Sequence, residues 1–191
     1  LNLFDSQKYN AASVHFAQIA PKQLTKSQRT EFLLKRAYSD LENKELEVAL
    51  KRFREVEALP FSDYTAPSRY AIGYINYHMK DFREALAWFE QASEDGRFEA
   101  ISKWYIMECR FMMHDYSYVV KYGPEMYETI AQERKPHLAR IISESYLVLG
   151  DADSARRYYG LSTESDAPKT RADWFYSGSL LYAVEDYKGA I

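Results

Sequence analysis

One spacing constrains this chain more than any other feature. A small residue set among aromatic and apolar neighbours returns about every 35 residues, the period at which helical repeat proteins are built. Ala12, Ala49, Ala85, Val119, Ala155 and Ala190 follow one another at steps of 37, 36, 34, 36 and 35 residues. Four residues beyond them stand Phe16, Phe53, Phe89 and Tyr159, with Gly123 in the fourth place. Three residues before them stand Tyr9, Leu46, Phe82, Tyr116, Ala152 and Tyr187. Twelve residues before, Ala37, Gly73, Met107, Ser143 and Gly178 form a second, mostly small register. Spacings of three and four place residues on one face of a helix, so each copy reads as two helices joined by a turn.

The third copy, GYINYHMKDFREALAWFEQA from Gly73 to Ala92, shows the unit most clearly. Lys80-Asp81 makes the turn, Asp81 is placed to N-cap the second helix, and Glu84 stands where a capping box needs it. An acidic residue precedes the second helix in five copies: Glu45, Asp81, Asp115, Asp151 and Asp186. Gly73 gives up about 1 kcal/mol of helix propensity relative to alanine. It is expected where the two helices of a repeat approach too closely for a side chain, as is Gly178. Gly123, followed by Pro124, is expected to break the second helix of the fourth copy. Strand signals are weak, and no Asn-Gly or Asp-Gly turn joins two β-branched runs.

Composition removes several classes of function. Apolar residues make up 47% of the chain and aromatics 16%, too much for a disordered segment. With 25 Lys+Arg against 28 Asp+Glu and a net charge of −3, there is no basic footprint for nucleic acid. Cys109 is the single cysteine, which excludes an internal disulfide framework or a zinc site built on cysteines. No apolar run approaches the roughly 18 residues of a membrane span, so no membrane insertion is expected. The chain starts at Leu1 with only part of a copy and stops within another, so it is expected to continue on both sides. The connectors APKQLTKSQRT, PFSDYTAPSR and LSTESDAPKTRA read as inter-repeat loops within one solenoid.

With these positions set out, the pattern resembles the tetratricopeptide repeat. The sixth copy, WFYSGSLLYAVEDYKGA, carries Trp174, Gly178, Tyr182, Asp186, Tyr187 and Ala190 in that family's places. The resemblance covers almost the whole chain, with copies at roughly 1–28 (partial), 29–65, 66–99, 100–135, 136–170 and 171–191 (partial). It implies an all-α, right-handed superhelical solenoid forming one domain. Stretches such as LFDSQKYNAA, SRYAIGYINY and DYKGAI also resemble long, exported tetratricopeptide proteins of Bacteroidetes-type bacteria. That implies a place in the bacterial envelope, the cytoplasm being the alternative.

Chemistry is hard to find. His15, His78, His114 and His137 are dispersed, and no H-E-x-x-H, G-x-G-x-x-G, Walker-type or G-x-S-x-G motif is present. His78 and His114 read as turn histidines, Cys109 as an inert, half-buried packing residue, and Glu55 and Glu57 as surface charges. No catalytic residue, metal site or cofactor is expected.

Binding has more to stand on. In tetratricopeptide arrays the first helices line a concave groove, and the resemblance places Tyr70, Tyr74 and Tyr77 there in copy three. Copy four contributes Ile101, Trp104, Tyr105 and Glu108; copy five His137, Arg140, Ile141 and Glu144; copy six Phe175, Tyr176 and Ser179. Tyr and Trp combine large contact area with a polar tip and are enriched at binding hot spots. The competing reading buries these aromatics as core. The chaperone-binding members of that family share a carboxylate clamp of lysine, asparagine and arginine; it is missing here, since the positions of its lysine and asparagine hold Tyr70, Tyr74, Trp104 and Glu108. The expected partner is therefore a protein or peptide with an apolar or aromatic segment. The alternatives are self-association, or service as a regulatory or spacer array for another domain.

Overall fold

The structure, a computed structural model, describes residue 6 and residues 8–20, 24–163 and 171–183. Asp186, Tyr187 and Ala190, which belong to the expected second helix of the last copy, lie outside the described residues. All regular structure among the described residues is helical. The α-helices are α1 (Tyr9–Ala17), α2 (Lys26–Glu42), α3 (Leu46–Glu57), α4 (Thr65–His78), α5 (Phe82–Ala92), α6 (Glu99–Met112), α7 (Tyr116–Thr129), α8 (Lys135–Val148), α9 (Ala152–Ser162) and α10 (Arg171–Ala183). A 3-10 turn, Gln132–Arg134, leads into α8. The chain forms two compact units, Leu1–Cys109 and Arg110–Ile191, with the boundary inside α6. In the first unit α1 packs on α2, α2 on α3, α3 on α4 and α4 on α5; in the second α7 packs on α8, α8 on α9 and α9 on α10.

The recurring small residues are the packing axis of each unit. Ala12, Ala49, Ala85, Val119 and Ala155 are buried, as are their first-helix counterparts Ala37, Gly73, Met107 and Ser143. The aromatics four residues on, Phe16, Phe53 and Phe89, fill the space beside them. Gly73 explains itself here: a Cβ at this position would lie 2.9 Å from Cδ1 and Cε1 of Phe89. The glycine of α4 thus leaves room for a ring from α5. Gly123 has the same role in the second unit, where its Cβ would lie 2.6 Å from Cγ1 of Ile142 on α8.

The turn inside each hairpin repeats in its backbone. Lys44, Lys80, His114 and Gly150 all adopt positive φ, at 64°, 65°, 62° and 85°. Each sits just past the first helix, and its N–H reaches back: Lys44 to Leu41 O, Lys80 to Tyr77 O, His114 to Phe111 O, Gly150 to Leu147 O. The next N–H reaches further, Glu45 to Asp40 O, Asp81 to Asn76 O, Asp115 to Arg110 O and Asp151 to Tyr146 O, at 2.9–3.0 Å. This paired pattern satisfies helix-end carbonyls that would otherwise lack partners. The acidic residue after it then caps the second helix: Asp81 accepts from Glu84 N, Asp115 from Tyr118 N and Asp151 from Ser154 N. Glu45 makes no such side-chain bond. Its extra methylene carries the carboxylate past the N–H that an aspartate meets. A reciprocal capping box forms at the start of α2, between Thr25 and Gln28.

Three expectations need correction. Gly123-Pro124 does not break the fourth copy's second helix, because α7 runs through both from Tyr116 to Thr129. Proline removes one intrahelical donor, and the carbonyl four residues back, that of Val120, accepts instead from the Tyr146 hydroxyl at 3.5 Å. A glycine before the proline also removes the Cβ that would crowd its ring. The connectors are shorter than the polar composition suggests. KSQRT belongs to α2 and TAPSR to α4, with Pro67 in a first turn where its missing N–H costs nothing. Cys109 is fully buried, where half-burial was expected.

One buried carboxylate links the first three helices. Asp40 on α2 is almost wholly buried, pairs with Arg52 on α3, and accepts from Ser13 Oγ on α1 at 3.3 Å.

Candidate functional site

The aromatics expected on α4 and α6 come together around Tyr105. Its ring stacks on Phe89 at 4.8 Å and 9°, and meets Tyr77 at 5.2 Å, Tyr74 at 6.0 Å and Tyr70 at 6.1 Å. Tyr70 and Tyr74, one turn apart, lie near-parallel at 6.4 Å, and Tyr70 also meets Phe98 at 5.4 Å. Offset and edge-to-face pairs of this kind add to simple area burial. The Tyr77 hydroxyl donates to Glu108 Oε2 at 2.9 Å. Glu108 is only 6% exposed, so it works as the buried acceptor of this pair and not as an open groove carboxylate. Burial, then the Glu108 charge, pushes the Tyr77 phenol well above its ordinary range; burial, then Tyr105, does the same to Tyr70. Both phenols are therefore neutral donors. Trp104 is half-buried on the same helix.

One edge of this cluster opens into a cleft of about 660 Å³. Tyr70, Ala71, Tyr74 and His78 of α4 form one wall; Tyr38, Leu41 and Glu42 of α2, with Lys44 of the turn and Leu46 of α3, form the other. Such a volume is that of a binding pocket, and the lining is mainly aromatic and aliphatic with a few polar groups at its edge. Tyr38 is braced edge-on against Phe53 at 4.9 Å, its hydroxyl 3.5 Å from Pro67 O. Burial raises its phenol to about 12. The His78 ring lies 4.3 Å from Tyr74 and is exposed.

Of the residues expected in the groove, Tyr70 and Tyr74 line this cleft, while Tyr77, Tyr105 and Glu108 support it from behind. The copy-two wall was missed. Tyr38, 36 residues before Tyr74, occupies the equivalent register, and reading copy two in that register finds it. Ala71 matters because a larger side chain there would fill the space between the walls.

The second unit treats its expected residues differently. Arg140 and Glu144 pair with each other across one turn of α8 at 2.7 Å. Ile141 is fully buried as core, against the expectation that it faces a groove. His137 is exposed, and Phe175 on α10 is 79% exposed. The Tyr176 side chain lies outside what the structure describes.

Among the described residues no cluster of His, Cys, Asp and Glu is arranged to hold a metal. No described helix is long and apolar enough to cross a membrane. No model of a known protein family matches the chain, and no curated protein matches it.

Proposed function

We propose that this chain is a tetratricopeptide-like array, a right-handed superhelical solenoid, and that it acts without catalysis as a protein-interaction module. The repeat reading is supported by the left-handed turn residue that recurs at Lys44, Lys80, His114 and Gly150, 36, 34 and 36 residues apart, each with the same pair of backbone bonds. The binding reading is carried by one observation, the cleft walled by Tyr38, Tyr70 and Tyr74. Its occupant is a short peptide or protein segment led by an aromatic or branched aliphatic side chain. The anchor is held by apolar burial between the walls, and Glu42, Lys44 and His78 at the edge orient the flanking backbone. Glu42 and Lys44 cancel in formal charge, so the lining complements an uncharged anchor. The absence of the carboxylate clamp of the chaperone-binding subclass fits this choice.

The test is panning of a random peptide library on the purified chain, with counter-screening against a Tyr38→Ala/Tyr74→Ala double variant. Enriched peptides share an aromatic or aliphatic anchor and lose at least tenfold in affinity on the variant, whose far-ultraviolet circular dichroism stays unchanged. No enrichment, or equal binding to both proteins, refutes the proposal.

A further inference from the structure

Among the described residues, the large apolar side chain left furthest in water is Phe61, 84% exposed. It sits in the loop that joins α3 to α4, and that loop is pinned on both sides. Leu59 and Tyr64 pack against the core. Leu59 N–H donates to Val56 O at 3.1 Å, Ser62 N–H to Thr65 Oγ1 at 3.0 Å, and Thr65 N–H returns to Ser62 O at 3.0 Å. Pro60 fixes one more backbone angle. A ring held out by so constrained a loop loses little freedom when it docks. Leu59, Pro60, Phe61 and Ser62 carry no charge, which suits a cleft whose Glu42 and Lys44 cancel. The chain therefore presents the kind of anchor that its own cleft accepts. It does not use it on itself: the loop meets α4 at Thr65, about 14 Å along the helix axis from Tyr74, and the ring stays in water.

We propose that the occupant of the cleft is Phe61 of a second copy of this chain. The inference rests on the cleft reading above and names its partner. Anchor and cleft lie towards opposite ends of α4. A twofold axis that sets two α4 helices antiparallel thus brings each Phe61 to the other copy's cleft, and one closed pair uses both sites of both chains. The ring enters between Tyr38, Tyr70 and Tyr74, where aromatic edges and faces are on offer. The cleft is larger than one ring and takes Pro60 beside it.

Analytical ultracentrifugation of the whole chain, from about 1 µM to about 1 mM, is expected to show a monomer–dimer equilibrium. Phe61→Ser changes an exposed side chain and is expected to raise the dissociation constant at least about tenfold, as is Tyr74→Ala. Mixing the two variants, each with unchanged far-ultraviolet circular dichroism, is the sharper step. The Tyr74→Ala chain still offers Phe61 and the Phe61→Ser chain still offers a cleft, so the mixture is expected to form a one-to-one pair that neither forms alone. A benzophenone side chain at position 61 gives a readout that does not depend on how the cleft variant folds. Irradiation is expected to yield a covalent dimer whose link maps to Tyr38–Leu46 or Tyr70–His78 of the other copy. A monomer at every concentration, a link elsewhere, or no pairing in the mixture overturns the inference. The panned peptides keep the two ideas apart when it fails. Peptides that bind Phe61→Ser and not Tyr74→Ala leave the cleft reading standing, whereas equal binding to both removes the cleft reading as well.

Discussion

Replacing Gly73 by alanine adds one methyl group to a site that has no room for it. The new Cβ would lie 2.9 Å from two carbons of the Phe89 ring and 3.1 Å from a third. Carbon atoms rest at roughly 3.5–4.0 Å, so the ring must retreat by about 0.6–1 Å. It cannot do so freely, because Phe89 is fully buried and stacked on Tyr105 at 4.8 Å. Overpacking of this kind costs about 1–3 kcal/mol. Alanine returns up to about 1 kcal/mol of helix propensity, which leaves a net loss of about 1 kcal/mol and a fall of roughly 2–4 °C in Tm. Gly160→Ala is the matched control: it lies on α9 with nothing within 4 Å of its Cβ, so the same change is expected to stabilise. Thermal unfolding followed at 222 nm measures both. Adding Phe89→Leu to Gly73→Ala recovers space, so the double variant is expected to be at least about 0.5 kcal/mol more stable than the sum of the single effects. If Gly73→Ala unfolds at or above the temperature of the unmutated chain, the close-contact argument is wrong.

The turn geometry predicts that Lys80→Gly stabilises. A left-handed conformation costs a side-chain-bearing residue about 1–2 kcal/mol, and the flexibility of glycine offsets about half of that, for a net gain of about 0.5–1 kcal/mol in denaturant unfolding. Gly150→Ala, at the same turn position, is expected to lose a similar amount. Asp40→Ala strands Arg52 without its partner and is expected to cost about 3 kcal/mol, read by urea midpoint at constant slope. The raised Tyr38 phenol makes ionisation harder in the folded chain than in the unfolded one. Its contribution to stability is complete below pH 10 and is lost as pH rises towards 12. Urea midpoints across that range are expected to fall less steeply in Tyr38→Phe, which has no proton to lose there.

Sequence spacing carried the hairpin architecture a long way, and the reason is burial. Ala49, Ala85 and Ala155 recur because each must fit against a neighbouring helix, and small buried residues leave a trace that needs no coordinates. The left-handed turns left none, since lysine and histidine hold three of the four positions that favour glycine. Their backbone pattern is dictated by helix-end carbonyls, which any residue can satisfy at some cost. Proline was misread at Pro124 because the compensating donor, Tyr146, comes from another helix. At the site, steps of four and three residues put Tyr70, Tyr74 and Tyr77 on one face of α4. The same spacing could not separate Tyr74, which opens to the cleft, from Tyr77, whose hydroxyl turns to the buried Glu108. That division depends on which helix stands opposite.

Photo-crosslinking from the cleft edge tests the central claim most directly. A benzophenone side chain is installed at Glu42 in one sample and at Glu90, exposed on α5, in another, and each is irradiated with the highest-affinity panned peptide. The account predicts a crosslink from position 42 that free peptide abolishes, and none from position 90. Crosslinking from position 90 alone, or equally from both, would contradict a binding site between α2 and α4.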